Sequence, residues 1–446
     1  MRMDLVRSAA TVCALLWTGA ALAQDNDIES LRNAIEELRS EYENRISELE
    51  RRLAVAEQNA RQANVAAQQS AAASPASGSG QAAFNPSIGV IFSGTAWDFS
   101  NAAEDNPVAG FPFGGEAGPI DQGLALGETE IDISANVDDK FTAWLTLPVA
   151  LEDGEVKVEL EEAWIETTAL PAGLSARFGR FFSGIGYLNE KHLHSWDFAD
   201  QPLPYQAFLG SQYIDDGVQL RWIAPTPLYI ELGSEIMRGG AYPAAGADNS
   251  GVGSYSLFAN IGGDVGSESS WLAGISHLEA SAVDRPSGPE DDPAIFSGDA
   301  AVTAAHFVWK WAADGNWRQQ NLVLQSELLW KNDDGEYALP AGPTQPFDNE
   351  QFGWYLQAVY QPFPRWRFGA RVDGLSSDDP GPLFDATLLD PLAGDPRRYS
   401  VMMDWSNSEF SRLRLQFTRD MASFDEGHQW GVQYIHSIGA HGAHSF

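Results

Sequence analysis

The chain has 446 residues, with 27 Lys+Arg against 62 Asp+Glu and a formal net charge of −35. So few basic groups exclude a nucleic-acid binder, because a phosphate backbone needs a basic surface; 20 % charged and 11 % aromatic residues exclude wholesale disorder. One cysteine, Cys13, excludes a disulfide scaffold or a Cys-based zinc site, and no apolar run after the N-terminus is long enough for a spanning helix. A closed barrel, apolar only at alternate positions, is still allowed.

Arg2 and Arg7 precede a largely apolar stretch from Ala9 to Trp17, and Ala21-Leu22-Ala23 has the form of a cleavage site. Residues 1–23 are therefore expected to be a secretory signal peptide. Cys13 is no lipid anchor, because Val12 precedes it where a small residue is wanted.

Residues 24–63 predict a coiled coil. Ile28, Leu31, Ile35, Leu38, Tyr42, Ile46, Leu49, Leu53, Ala56, Ala60 and Ala63 recur at spacings of three and four, with one stutter around Tyr42. Glu and Arg fill the intervening positions, so the narrow stripe needs partner helices. A seam of this kind runs about 54 Å. It is expected in the periplasm, holding a homotrimer. Residues 64–83, rich in Ala, Ser, Gln and Gly, read as a flexible linker.

From 84 to 446 the period changes to two. Thr129, Ile131, Ile133, Ala135 and Val137 alternate with Glu130, Asp132, Ser134 and Asn136. Trp366, Phe368, Ala370 and Val372 alternate with Arg365, Arg367, Gly369 and Arg371, and Leu413, Leu415 and Phe417 with Arg412, Arg414 and Gln416. Sixteen strands can be laid out, at 86–99, 122–136, 140–151, 155–168, 173–183, 212–223, 227–238, 254–262, 270–279, 300–311, 317–331, 351–361, 365–374, 397–405, 409–420 and 428–438. Short turns alternate with long connections such as 100–121, 184–211, 239–253, 280–299, 332–350 and 375–396. Fourteen Trp follow residue 23, many near strand ends: Trp97, Trp222, Trp271, Trp311, Trp317, Trp330, Trp366, Trp405 and Trp430. That suits aromatic girdles at two water–lipid boundaries. The expected fold class is all-β: a 16-stranded antiparallel transmembrane β-barrel preceded by an α-helical coiled coil, in the bacterial outer membrane. Its partners would be outer-membrane lipid, lipopolysaccharide and the barrel-assembly machinery.

Sixteen strands leave an aqueous lumen. Parity assigns to its wall Glu128, Glu130 and Asp132, then Lys157, Glu159 and Glu161, and on another sector Arg365, Arg367, Arg371, Arg412 and Arg414. Opposite charges on different sectors predict a transverse field across the lumen. Glu162, Glu166 and Arg180 break this parity, so a bulge, strand end or subunit contact is expected there. The connection GIGYLNEKHLHSWDFADQPLPYQAFLGS, 184–211, is long and rich in aromatic and chargeable groups. Folded inward it would place Glu190, Lys191, His192, His194, Asp197 and Asp200 at a pore constriction; capping the barrel or packing on a neighbouring subunit are the alternatives. His192 and His194 with Asp197 nearby, and His441 and His444, are weak metal candidates, since neither pair completes a four-ligand spacing. No cofactor motif, phosphate loop or nucleophile motif is present, and an enzyme is not expected.

In layout the chain resembles the phosphate-selective porin family, with a coiled coil before a sixteen-strand barrel. In wording, GRFFSGIGYLNEKHLHSWDFADQPL and the ending GAHGAHSF resemble a proteobacterial group labelled zinc-regulated TonB-dependent outer membrane receptors. The first resemblance implies a trimeric porin. Its basic anion site is not carried over, because the barrel region holds 19 basic residues against 51 acidic ones. The second implies metal uptake, although this chain lacks a plug-sized N-terminal domain and the length for 22 strands. The expected function is passive diffusion of small hydrophilic solutes, cation-preferring or weakly selective. The alternatives are a metal or metal-chelate receptor using His192, His194, Asp197 and Asp200, and a coiled-coil envelope tether.

Overall fold

The computed structural model describes residues 86–439, apart from 102–107, 119, 121, 128, 153–154, 246–250, 290, 341, 392–393 and 423–425. The expected signal peptide, coiled coil and linker lie outside the described residues, as do Glu128, His441 and His444.

Sixteen strands follow one another: β1 Ser87–Phe99, β2 in two segments (Gly123–Leu126 and Thr129–Asn136), β3 Phe141–Glu152, β4 in two segments (Glu155–Val158 and Glu162–Thr167), β5 Leu174–Phe182, β6 Ile214–Ile223, β7 Tyr229–Met237 and β8 Ser254–Val265. They continue as β9 Ser269–Ser287, β10 Ala294–Ala312, β11 Asn321–Ala338, β12 Thr344–Phe363, β13 Trp366–Ser377, β14 Arg397–Ser408, β15 Ser411–Asp420 and β16 Gly427–Gly439. Each pairs antiparallel with the next, and β16 closes onto β1 from Gly89↔Gly439 to Phe99↔Gln429. Closure leaves the strands with no free edge, which a sheet surrounded by lipid requires.

The alternation read from the sequence sorts the two faces. On β15, Arg414 and Gln416 face inward, each 1 % exposed, while Leu415 between them is 43 % exposed. Phe368, Leu356, Ile275, Leu257, Leu232 and Leu220 are exposed in the same way. A charged interior inside an apolar exterior inverts the soluble pattern and calls for lipid outside. Replacing Leu415 by Arg should therefore destabilise the barrel by about 2–4 kcal/mol near the bilayer midplane. Urea unfolding in lipid vesicles reads this, and an unchanged midpoint would mean that lipid does not cover this face.

Two expectations are corrected. The connections 280–299 and 332–350 are mostly strand: β9 runs to Ser287, β10 starts at Ala294, β11 runs to Ala338 and β12 starts at Thr344. Pairing continues through Asn332, Asp333, Asp334 and Glu336, where the polar sequence loses its apolar period although the backbone ladder does not end. Trp97 is not in a girdle. It faces inward, 4 % exposed, and stacks on Phe99 with ring centroids 5.9 Å apart.

The parity breaks have a geometric cause. On β4, Val158 pairs with Val149 and Glu162 with Thr146, so four steps on β4 match three on β3. On β2, Leu126 pairs with Gly94 and Glu130 with Ile91, again four steps against three. Each is a one-residue bulge, which flips the inward set. Glu130, Asp132, Glu162 and Glu166 thereby share the inner face. Arg180 stands opposite Ala163 and meets Asp216 at 3.4 Å.

Candidate functional site

The segment from Ser183 to Tyr213 leaves β5, folds into the lumen and returns to β6. Its ends are held by backbone pairing of Phe182 with Ile214. Inside it, α1 (Leu203–Leu209) begins with Pro202 and Pro204 near its N-terminus and stops at Gly210, which is left-handed at φ 61°. Proline suits a first helical turn, and glycine accepts the left-handed cap. Leu203, Tyr205, Phe208 and Leu209 are buried with Phe181, Ile185, Leu188 and Trp196 in an apolar cluster within the barrel.

Buried carboxylates on the wall hold this segment. Glu327 of β11 accepts hydrogen bonds from the backbone N–H of Tyr187 (2.7 Å) and Leu188 (3.1 Å) and from the hydroxyls of Tyr205 (3.0 Å) and Tyr355 (2.5 Å). Glu235 of β7 accepts from Ser183 Oγ and from the N–H of Gly184. Asp373 of β13 accepts from the N–H of Leu203. Gly186 sits at φ +70°, and a Cβ there would lie 2.5 Å from the Tyr205 hydroxyl oxygen and 2.7 Å from Glu327 Oε2, so the entry turn needs glycine.

The charges of the segment complement the two wall sectors. His194 Nδ1 lies 2.9 Å from Glu130, and His192 Nε2 lies 3.0 Å from Glu162. His192 Nδ1 lies 3.3 Å from Glu161 and 3.4 Å from Glu130. Burial opposes an imidazolium, yet the surrounding carboxylates of Glu130, Glu161 and Glu162 outweigh it and raise the His192 pKa well above its ordinary value. On the other sector Asp197 pairs with Arg367 at 2.8 Å and Asp200 with Arg371 at 3.0 Å. Arg414 donates to the Trp196 carbonyl and Arg412 to that of His194. The histidines of the inserted segment thus face carboxylates on one side of the barrel, and its two aspartates face arginines on another.

The remaining predicted residues are placed as follows. Glu190 pairs with Arg221, a β6 residue that parity reading did not single out. The Lys191 ammonium lies 5.0 Å over the Tyr187 ring, and burial lowers its pKa to about 8. Asp132 accepts from Thr146. Lys157 and Glu159 are exposed near the β4 bulge. Arg365 is not on the wall: it occupies the β12–β13 turn at φ 75° and is exposed. Asp197 and Asp200 stand with arginines rather than with the histidines, so the four-residue metal set expected from sequence is not assembled. Glu327, Glu235, Asp373 and Asp404, which pairs with Arg367 and Arg414, were missed. Glu327 was findable, since Gln325, Glu327, Lys331 and Asp333 share one parity of β11.

A cavity of about 1260 Å³ lies above the inserted segment's acidic end. It is bounded by residues 108–118, 286–289 and 386–388 and by Asp200, Gln206, Arg398 and Asp420. The histidines and their glutamates do not line it.

This architecture is similar to that of solved outer-membrane β-barrels. The outer membrane channel DcaP of Acinetobacter baumannii is similar at a TM-score of 0.51 and 12 % identity, over 81 % of this chain and all of that one. The loop L8 deletion mutant of OmpT, an outer membrane protein of Vibrio cholerae, gives 0.50 and 10 % over 80 % of this chain and all of that one. At such identities the likeness is one of fold. No family model matches the chain. In sequence it is 31 % identical over 391 residues, 82 % of its own length and 81 % of the other's, to a protein of Aquifex aeolicus (strain VF5) described as uncharacterised, and it belongs to that protein's family.

Proposed function

We propose that the protein is a passive channel of the bacterial outer membrane for small hydrophilic solutes, with a preference for cations. The observation that supports this best is the closed sixteen-strand barrel, apolar outside and charged inside, whose lumen is narrowed by the segment 183–213. In this reading Glu190, Lys191, His192, His194, Asp197 and Asp200 stand at the constriction and set its charge. Because each is paired, they screen solutes mainly by width, and the cation preference comes from the acidic excess of the barrel as a whole. Filtration of this kind needs no bond-making step. The coiled coil of residues 24–63 would join three such barrels from the periplasmic side.

Purified protein in planar bilayers should show stepwise conductance. In a salt gradient the reversal potential should have the sign of cation preference. No steps from folded protein would overturn the channel reading, and an anion-signed potential would overturn the selectivity. Deleting residues 25–63 separates channel from tether: a channel still conducts without them, whereas a tether loses its function.

A further inference from the structure

The two bulges bring five metal-compatible side chains from three separate stretches of chain to one place. Glu130 comes from β2, Glu161 and Glu162 from the β4 bulge, and His192 and His194 from the inserted segment. One ligand atom each from Glu130, His192 and His194 fall within 4.8 Å of one another. A tetrahedral zinc-like ion with ligands at about 2.0–2.1 Å holds its ligand atoms about 3.3 Å apart. The separations here are 2.9 Å for His194 Nδ1 to Glu130 Oε1, 3.4 Å for His192 Nδ1 to Glu130 Oε2 and 3.3 Å for His192 Nδ1 to Glu161 Oε2. The two pairs through Glu130 lie within a few tenths of an ångström of that spacing, and the two imidazoles bring a nitrogen each within 4.8 Å of one another.

A second observation points the same way. His192 Nδ1 and Glu161 Oε2 are both shut off from solvent and face each other at 3.3 Å without the alignment of a hydrogen bond. Buried polar atoms left in this state call for a partner. The opposite ring nitrogen, His192 Nε2, lies 3.0 Å from Glu162. That is the carboxylate–imidazole support which orients a ligating histidine and fixes its tautomer. Three carboxylates face this point, and the nearby cation, Arg412, is turned to the His194 carbonyl. A small cavity of about 60 Å³, lined by Glu159, Glu161, Arg180 and Leu193, lies beside Glu161.

We propose that His192, His194 and Glu130, with water completing the coordination, bind one divalent transition-metal ion at the junction of the inserted segment with β2 and β4. Two imidazoles with a carboxylate select zinc, cobalt, nickel or copper over magnesium or calcium. The ion clamps the histidine end of the segment to the acidic wall and so holds the constriction in place. Binding is an equilibrium property of the folded barrel and does not depend on the channel reading, which conductance without added metal tests separately.

The test uses the mature chain refolded in detergent, with Co(II) and Zn(II) as probes and Mg(II) as control. Co(II) should bind one per barrel with the visible absorption of a four-coordinate ion, and Zn(II) should displace it; Mg(II) should do neither. His192→Ala/His194→Ala and Glu130→Gln should abolish the absorption. Glu162→Gln, which leaves every ligand in place, should weaken binding about 10–100-fold. Asp197→Asn should leave binding unchanged, because Asp197 faces Arg367. Heat-modifiable migration on gels confirms that each variant has folded; should the double variant fail to fold, Glu130→Gln and Glu162→Gln decide. No Co(II) absorption from wild type, or equal affinity in wild type and the histidine or glutamate variants, overturns the proposal.

Discussion

Joining Gly184 directly to Gln212, with residues 185–211 removed, is expected to raise single-channel conductance several-fold while the barrel still folds. Phe182 and Ile214 are cross-strand partners, so Ser183, Gly184, Gln212 and Tyr213 can close a four-residue turn without disturbing the ladder. None of the strand pairings includes the excised residues, whereas those residues supply Ile185, Leu188, Trp196, Leu203, Tyr205 and Phe208 of the apolar cluster inside the lumen. Their removal replaces packed side chains by water. It also takes His192 and His194 away from Glu130, Glu161 and Glu162, and Asp197 and Asp200 away from Arg367 and Arg371, which keep Asp404 and Asp373 on the wall. The transverse field predicted from the sequence should then emerge, and the conductance should become more dependent on ionic strength. Planar-bilayer recording of the heat-modifiable, folded variant checks both points. An unchanged conductance would mean that the segment does not obstruct the path of ions.

The second large effect is expected at Glu327. Its carboxylate is fully buried and takes four hydrogen bonds from two backbone N–H groups and two tyrosine hydroxyls. Glu327→Ala removes the acceptor of all four, and only the Leu188 N–H keeps another, the Tyr205 hydroxyl, at a cost of about 3–5 kcal/mol. That loss falls on docking of the inserted segment rather than on the barrel ladder, which closes without it. Amide exchange at Tyr187 and Leu188 should accelerate on the order of 10²–10³-fold, while amides of β13 to β16 keep their protection. Glu327→Gln retains one acceptor oxygen and should lie between the two. Equal acceleration throughout the barrel would instead make Glu327 a residue of global stability. Single-channel records of Glu327→Ala should also show flicker between conductance levels, as the undocked segment enters and leaves the lumen.

The amino-acid sequence by itself determined the strand number, the inward and outward faces and the existence of a long, chemically rich connection between β5 and β6. These are local properties. A period of two over ten residues reports a face that meets lipid and a face that meets water, whichever strand lies next to it. Leu413, Leu415 and Phe417 carry that signal without reference to anything else in the chain. Tertiary structure alone decided which charges meet. Two one-residue bulges, each visible only as a register difference against the neighbouring strand, turned Glu130, Glu161 and Glu162 toward the same two histidines. Asp197 stands close to His194 in sequence, yet it faces Arg367, because the segment crosses the lumen between the two walls. Such pairings are set by barrel closure and by where the inserted chain lies inside it, and neither has a periodicity that a linear pattern records.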